Sequence, residues 1–163
     1  MLRKMNGLFT ILLTKPLPSK SAQSQCSREI PRMNLEYIEG LLFSSITIVH
    51  RGNSIMITHV VIDTGAAESV ISIDAAGTLF NSYEPEDQLR FMVGIGGREA
   101  SIRRKIDRVL FDTFSISDFH IDFGKIGEYP GINGLIGLDI LIPGRFMIDL
   151  SRLQLYSVDK NNP

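Results

Sequence analysis

The run Val60-Val61-Ile62-Asp63-Thr64-Gly65-Ala66 puts a carboxylate where an apolar strand breaks into a glycine turn. Charged side chains are rarely buried without a partner, so an Asp at the end of such a strand needs a reason. One reason is structural: Asp bonds nearby backbone and Gly supplies a positive φ, which makes Asp-Thr-Gly good turn chemistry. The other is chemical, a carboxylate carried out of a buried strand to move protons. The tripeptide alone does not decide between them, because three residues recur by chance too readily. Its surroundings say more. Ile132-Asn133-Gly134-Leu135-Ile136-Gly137-Leu138-Asp139-Ile140-Leu141 reads as an apolar pair, a glycine and then a single helical turn, stopped by Pro143-Gly144. Met92-Val93-Gly94-Ile95-Gly96-Gly97 sets glycines between two apolar runs, as a hairpin does. A phosphate-cradling loop there fails on its fingerprint spacing and on the helix that should follow.

Other reactive residue types are scattered. His50, His59 and His120 fall on separate predicted strands without metal-ligand spacing, so they read as core or surface strand residues and no metal site is expected. There is no Gly-x-Ser-x-Gly and no Cys/His pairing to suggest a serine or cysteine nucleophile. Cys26 is the only cysteine, which rules out an internal disulfide and is compatible with a reducing, cytoplasmic compartment. Arg98, Arg103, Arg104, Lys105 and Arg108 form the densest basic stretch, interrupted by Glu99 and Asp107. On strands these charges split between two faces, which predicts a solvated face and no nucleic-acid surface. Glu68 reads as an exposed loop charge, and Asp112-Thr113-Phe114, which lacks the glycine, reads as a turn.

The elements that must position these residues are short strands. Alternating or β-branched runs cover Ser45 to His50, Ile55 to Ile62, Val70 to Ile73, Leu89 to Val93 and Ile102 to Phe111. More follow at Phe114 to Ser117, Phe119 to Phe123, Phe146 to Ile148 and Leu153 to Tyr156, the last two as a hairpin around Asp149 to Arg152. A weak helical stretch spans Asp74 to Gly77, and Ser82 to Gln88 is an acidic loop. Many short strands with frequent turns predict an all-β barrel or sandwich. The 163 residues fit one domain, 44% hydrophobic content supplies a core, and a formal net charge of −1 argues against nucleic acid or a membrane surface as the main partner. No apolar run approaches the ~20 residues that span a bilayer.

The N-terminus stands apart. Met1 to Arg28 contains no Asp or Glu, and its apolar run Gly7 to Leu13 is met at once by Lys15-Pro16, with no small-x-small cleavage site behind it. Pro16 to Ser27 is polar and Pro/Ser-rich, which predicts an unpacked segment. The expected organisation is an N-terminal extension over 1–32, one domain over 33–158 and a polar tail over 159–163.

Taken together, three segments resemble the retropepsin-like aspartic peptidases. Asp63-Thr64-Gly65-Ala66 resembles their catalytic signature, Leu135 to Leu141 their supporting apolar-apolar-Gly and short helix, and Met92 to Gly97 the tip of their flap. The resemblance implies an all-β, retropepsin-like closed barrel of short strands with a Gly-rich flap hairpin and one short helix near the C-terminus. It implies hydrolysis of peptide bonds by a water held between two Asp carboxylates, without metal or organic cofactor. One chain carries one signature, so the second Asp63 must come from a second copy, and a homodimer acting on a peptide or protein substrate is expected. Asp63 would be the catalytic carboxylate, Thr64 would bond across the two-fold to the partner's loop, and Gly65 would donate its N–H to the carboxylate. Ala66, Val93, Gly94, Ile95, Gly96 and Gly97 would contact substrate. The chain departs from retroviral relatives at Ala67 and Leu138, where an acidic residue and an arginine form an ion pair in some of them. Both charges are missing together, which leaves no unpaired charge behind. The alternative reading is a non-catalytic dimeric module that binds a peptide in the same cleft.

Overall fold

The computed structural model describes residues 31–94, 97–126 and 131–158. The expected extension and tail therefore lie outside the described residues almost entirely, as do Ile95 and Gly96 of the expected flap tip. The described strands are β1 (Met33–Asn34), β2 (Glu36–Ile38), β3 (Leu41–His50), β4 (Asn53–Ile62) and β5 (Val70–Ser72). They continue with β6 (Gln88–Gly94), β7 (Gly97–Phe111), β8 (Phe114–Gly124), β9 (Gly134–Ile136), β10 (Phe146–Asp149) and β11 (Gln154–Ser157). A one-turn helix, α1 (Ile73–Ala76), runs into a 3-10 turn at Gly77–Phe80, and a second, α2 (Leu138–Leu141), follows β9. The chain is mostly β, as expected, with α2 where the sequence puts a single helical turn.

Two sheets form. The larger runs β2-β3-β4-β9-β5-β8-β7-β6, and β7 also pairs back onto β3 through Thr47↔Leu110, Ile48↔Val109 and Val49↔Arg108. The smaller runs β1-β11-β10. Between them lies one core. Ile46, Ile48, Ile57, Val60, Ile71, Ile106, Val109, Phe111, Ile121, Phe123, Ile136 and Ile140 are fully buried from the larger sheet and α2, and Leu155 from the smaller. Each such side chain contributes about 1.5–3 kcal/mol of burial. Phe146 of β10 joins the sheets by packing edge-on against Phe111, with ring centroids 5.0 Å apart.

Two strand limits differ from the sequence reading at defects in the ladder, a register shift in β3 and an unpaired position between β7 and β8. β3 begins at Leu41 rather than Ser45, because its register shifts between Ser44 and Ile46. Buried positions therefore switch from odd (Phe43) to even (Ile46, Ile48, His50), and alternation read from the C-terminal half loses phase at the bulge. The two runs expected at 114–117 and 119–123 are a single strand, β8. The β7–β8 ladder skips Asp107 and Asp118, and Asp118 takes a left-handed φ of 54°, so the pattern breaks without ending the strand.

Candidate active site

Asp63 stands directly beyond the last residue of β4. What holds that strand is β9, which lies between β4 and β5, parallel to β4 (Val60↔Gly134, Val61↔Leu135, Ile62↔Ile136) and antiparallel to β5 (Val70↔Leu135, Ile71↔Gly134). Gly134 is needed for this three-strand contact: a Cβ there would meet Ile71 Cδ1 at 2.8 Å and both Val60 Cγ1 and Val70 O at 3.0 Å. The ladder extends one residue beyond β4, where Asp63 N donates to Ile136 O at 2.9 Å. The half-buried Asp63 carboxylate then accepts Gly65 N–H at 2.9 Å through Oδ1, the bond expected for it. Gly65, however, does not take the positive φ that turn chemistry predicts. A Cβ there would sit 3.2 Å from Asp63 Oδ1, close enough that the carboxylate would have to give by a few tenths of an ångström. Thr64 is exposed.

The loop after Asp63 closes onto the start of α2. Leu138 N donates to Ala66 O at 2.9 Å, and a Cβ on Gly137 would lie 2.9 Å from Ala66 O and from the carbonyl carbon and oxygen of Glu68. Two residues missed by the sequence reading complete this junction. Buried Ser69 donates its hydroxyl to Asp139 Oδ1 at 2.6 Å and its N–H to Asp139 Oδ2 at 2.9 Å, while its Oγ accepts Gly137 N–H at 2.9 Å. With Ala67 and Leu138 uncharged, this carboxylate–hydroxyl–amide clasp is what ties the loop to the helix. A signal for it exists in the sequence: Asp139 is the one charge in the apolar run 132–141.

Glu68 is not the free loop charge expected. Its Oε1 lies 2.6 Å from Arg103 NH2 of β7 and 3.5 Å from Arg90 NH1 of β6. Arg103 in turn grips Asp122 of β8 with Nε at 3.3 Å and NH2 at 2.5 Å, and Asp122 is fully buried. Burial works against the Arg103 charge, but its hydrogen bonds to Asp122 and Glu68 raise its pKa above the ordinary arginine value. The basic stretch is only partly the solvated face expected: Arg98, Lys105 and Arg108 are exposed, but Arg103 and Arg104 are not. Arg104 is 2% exposed, bonds Asp87 Oδ1 and Oδ2 at 2.9 and 2.6 Å, donates to Leu79 O and Ser82 O, and stacks over Phe80. The Arg104 hydrogen bond holds Asp87 below the usual carboxylate range, against the opposing effect of burial. A register alternating by one puts Arg103 and Arg104 on opposite faces of β7, and both faces turn out to be occupied.

β6 and β7 form the expected glycine-tipped hairpin, with Val93↔Arg98 and Gly94↔Gly97 as its last pairs and Gly97 at φ 120°. Val93 is 82% exposed. The structure thus brings Asp63, Gly65 and Ala66 together with Gly137, and ties this loop to the hairpin's root through Glu68. Among the described residues no hydrogen bond or ion pair joins Asp63 to Val93, Gly94 or Gly97. A concavity of about 320 Å³ lies elsewhere, lined by His50, Arg51, Glu84, Glu86, Lys105, Asp107 and Asp118 among others, and none of the sequence-predicted site residues touches it. Buried His50 bonds Glu84 there at 2.9 Å, whereas His59 and His120 are exposed strand residues, as expected.

Among solved structures, the chain is similar to a retropepsin-like aspartic protease from Rickettsia conorii, with a TM-score of 0.56, 16% identity, and coverage of 78% of this chain and 91% of that one. The fold is retropepsin-like. No family model matches the sequence, and no curated protein matches it. No helix among the described residues is long and apolar enough to cross a membrane.

Proposed function

We propose that this chain is an aspartic endopeptidase whose active site forms when two copies bring their Asp63 carboxylates together. The observation that carries this reading is the seat of Asp63 at the end of a buried strand, its backbone N–H donating to Ile136 O and its carboxylate accepting Gly65 N–H, in a retropepsin-like fold and with one Asp-Thr-Gly in the chain. Two such carboxylates in contact cannot both ionise, so the pair shares a proton. The ionised member takes a proton from the water as that water attacks the scissile carbonyl, and the protonated member hydrogen-bonds the carbonyl oxygen. The carboxyl that took the water's proton then donates it to the leaving nitrogen as the C–N bond breaks, and the other carboxylate takes up the hydroxyl proton of the collapsing intermediate, which restores the shared-proton pair. Thr64, exposed beside Asp63, is accessible to the second copy's loop, and the glycine-tipped hairpin would cover the bound peptide as part of a closed barrel. The smaller sheet, whose edge strand β10 exposes Met147, is the surface assigned to pairing. A lone cysteine is compatible with a cytoplasmic enzyme, and its substrate would be a peptide or protein.

The test is digestion of a denatured protein mixture by wild type and Asp63→Asn. Cleavage by the wild type with a loss of at least about a hundredfold in the variant, the scale of acid–base catalysis, supports the reading. Equal silence from both, with peptide binding retained, moves the assignment to a non-catalytic peptide-binding dimer.

A further inference from the structure

The register of the larger sheet puts four charges on one face. Arg90 of β6 stands opposite Ser101, two pairs along from Gln88↔Arg103 and so on the same face, and Arg103 stands opposite Asp122. Glu68 approaches this row from the loop that follows Asp63, so two arginines of the hairpin meet one carboxylate of β8 and one of the loop. The two arms differ in strength. Arg103 is 16% exposed and holds buried Asp122 and Glu68 at the same NH2, with Ser101 Oγ adding a bond to Asp122 Oδ1 at 3.3 Å. A desolvated fork of this kind does not open cheaply. Arg90 and Glu68 are 40% and 38% exposed and 3.5 Å apart, a screened pair that breaks at little cost.

Glu68 is also mechanically coupled to the site. Its carbonyl lies against Gly137, and its neighbour Ser69 is clasped by Asp139 and accepts from Gly137 N–H. A shift of the hairpin's root therefore bears on the same short loop that carries Asp63. We infer that Glu68 is a positioning residue that latches the hairpin to the loop carrying Asp63, with Arg103 as its fixed anchor and Arg90 as a weaker catch, formed without peptide, that holds the hairpin's root in place for a peptide to bind beneath it. The inference rests on the peptidase reading for its kinetic consequence but not for the latch itself.

Arg90→Gln removes the catch at an exposed position and leaves the Arg103–Asp122 anchor in place. In the full-length protein it should raise KM for a peptide substrate about two- to fivefold with kcat within about twofold, the size a half-exposed ion pair supplies. Arg90→Lys should recover most of this, and Glu68→Gln combined with Arg90→Gln should be no worse in KM than Glu68→Gln alone. Wild type in roughly 1 M salt, where screening acts over about 3 Å, should resemble Arg90→Gln. Amide exchange of residues 88–94 and 97–103 gives a readout independent of catalysis: it should quicken about two- to fivefold in Arg90→Gln while the global unfolding midpoint stays put. Unchanged exchange and unchanged KM overturn the latch. Quickened exchange in a protein that cleaves nothing keeps the latch and overturns the peptidase reading instead.

Discussion

Gly137→Ala isolates a steric requirement from a conformational one. Gly137 has φ −96° and ψ −173°, an extended backbone open to any residue, so alanine adopts it without strain. The obstacle is space: the new Cβ would lie 2.9 Å from Ala66 O, Glu68 C and Glu68 O. Comfortable contacts between carbon atoms are about 3.5–4.0 Å, so the loop must retreat by roughly half an ångström or more. All three atoms are backbone, and Ala66 O is already held by Leu138 N–H at 2.9 Å, so no side chain can swing aside. Overpacking of this kind costs about 1–3 kcal/mol. Restricting the unfolded chain returns about 0.4–1 kcal/mol, leaving a net loss of about 1–2 kcal/mol. With a urea dependence of about 1–2 kcal/mol per molar, the unfolding midpoint should fall by roughly 1 M. Gly124→Ala is the control, because its nearest neighbours, Ala100 O at 3.4 Å and Met92 Cε at 3.6 Å, are ordinary contacts; its midpoint should hold or rise. The displaced loop carries Asp63, so peptide cleavage by folded Gly137→Ala should drop about tenfold or more, since small misplacements are expensive. A midpoint for Gly137→Ala that matches Gly124→Ala refutes the steric account, whatever happens to activity.

The remaining predictions follow from the same contacts. Arg104→Met should cost about 3–5 kcal/mol in denaturant unfolding by stranding buried Asp87, and Asp87→Leu in the same protein should restore most of it. The depressed pKa of Asp87 fixes a sign: its ion pair stabilises the fold above the unfolded carboxylate pKa of about 3.9, and this is lost as pH falls through the folded value. Wild type should therefore lose its stability advantage over Asp87→Asn in unfolding series taken from neutral pH to pH ~3, and a gap that widens on acidification contradicts the assignment. If two chains build one site, activity per chain should fall on dilution through the dimer dissociation constant, whereas a dilute monomer with full specific activity defeats the half-site. Asp63→Asn should abolish cleavage while leaving the unfolding midpoint and the sedimentation behaviour close to wild type.

The sequence made the apolar skeleton and the Asp63 turn legible because both are local. A β-branched run ending in Asp-Thr-Gly, and an apolar pair followed by Gly137, are written in consecutive residues, and the structure sets β4 beside β9 with Asp63 N on Ile136 O. The errors arose where a pattern crossed a defect in the ladder. A bulge reversed the phase of β3, and the residues skipped at Asp107 and Asp118 made the single strand β8 read as two.

The charges misread as solvated are a different matter, because each is decided by partners far along the chain. Glu68 meets Arg103 across 35 positions and Arg104 meets Asp87 across 17, distances no periodicity can span. Yet the argument that singled out Asp63 was general: a lone charge within an apolar stretch must find a partner. Asp139 sits in the apolar run 132–141, and Asp122 stands between Ile121 and Phe123. Both must therefore be paired before any partner is known, and each proves to anchor a contact behind the loop that follows Asp63: Asp139 to Ser69, and Asp122, through Arg103, to Glu68. Asp63 differs from them in having no side-chain cation or hydroxyl beside it among the described residues, only a backbone N–H. Of the three carboxylates, it alone has no side-chain partner among the described residues, which is what the proposed half-site needs of it.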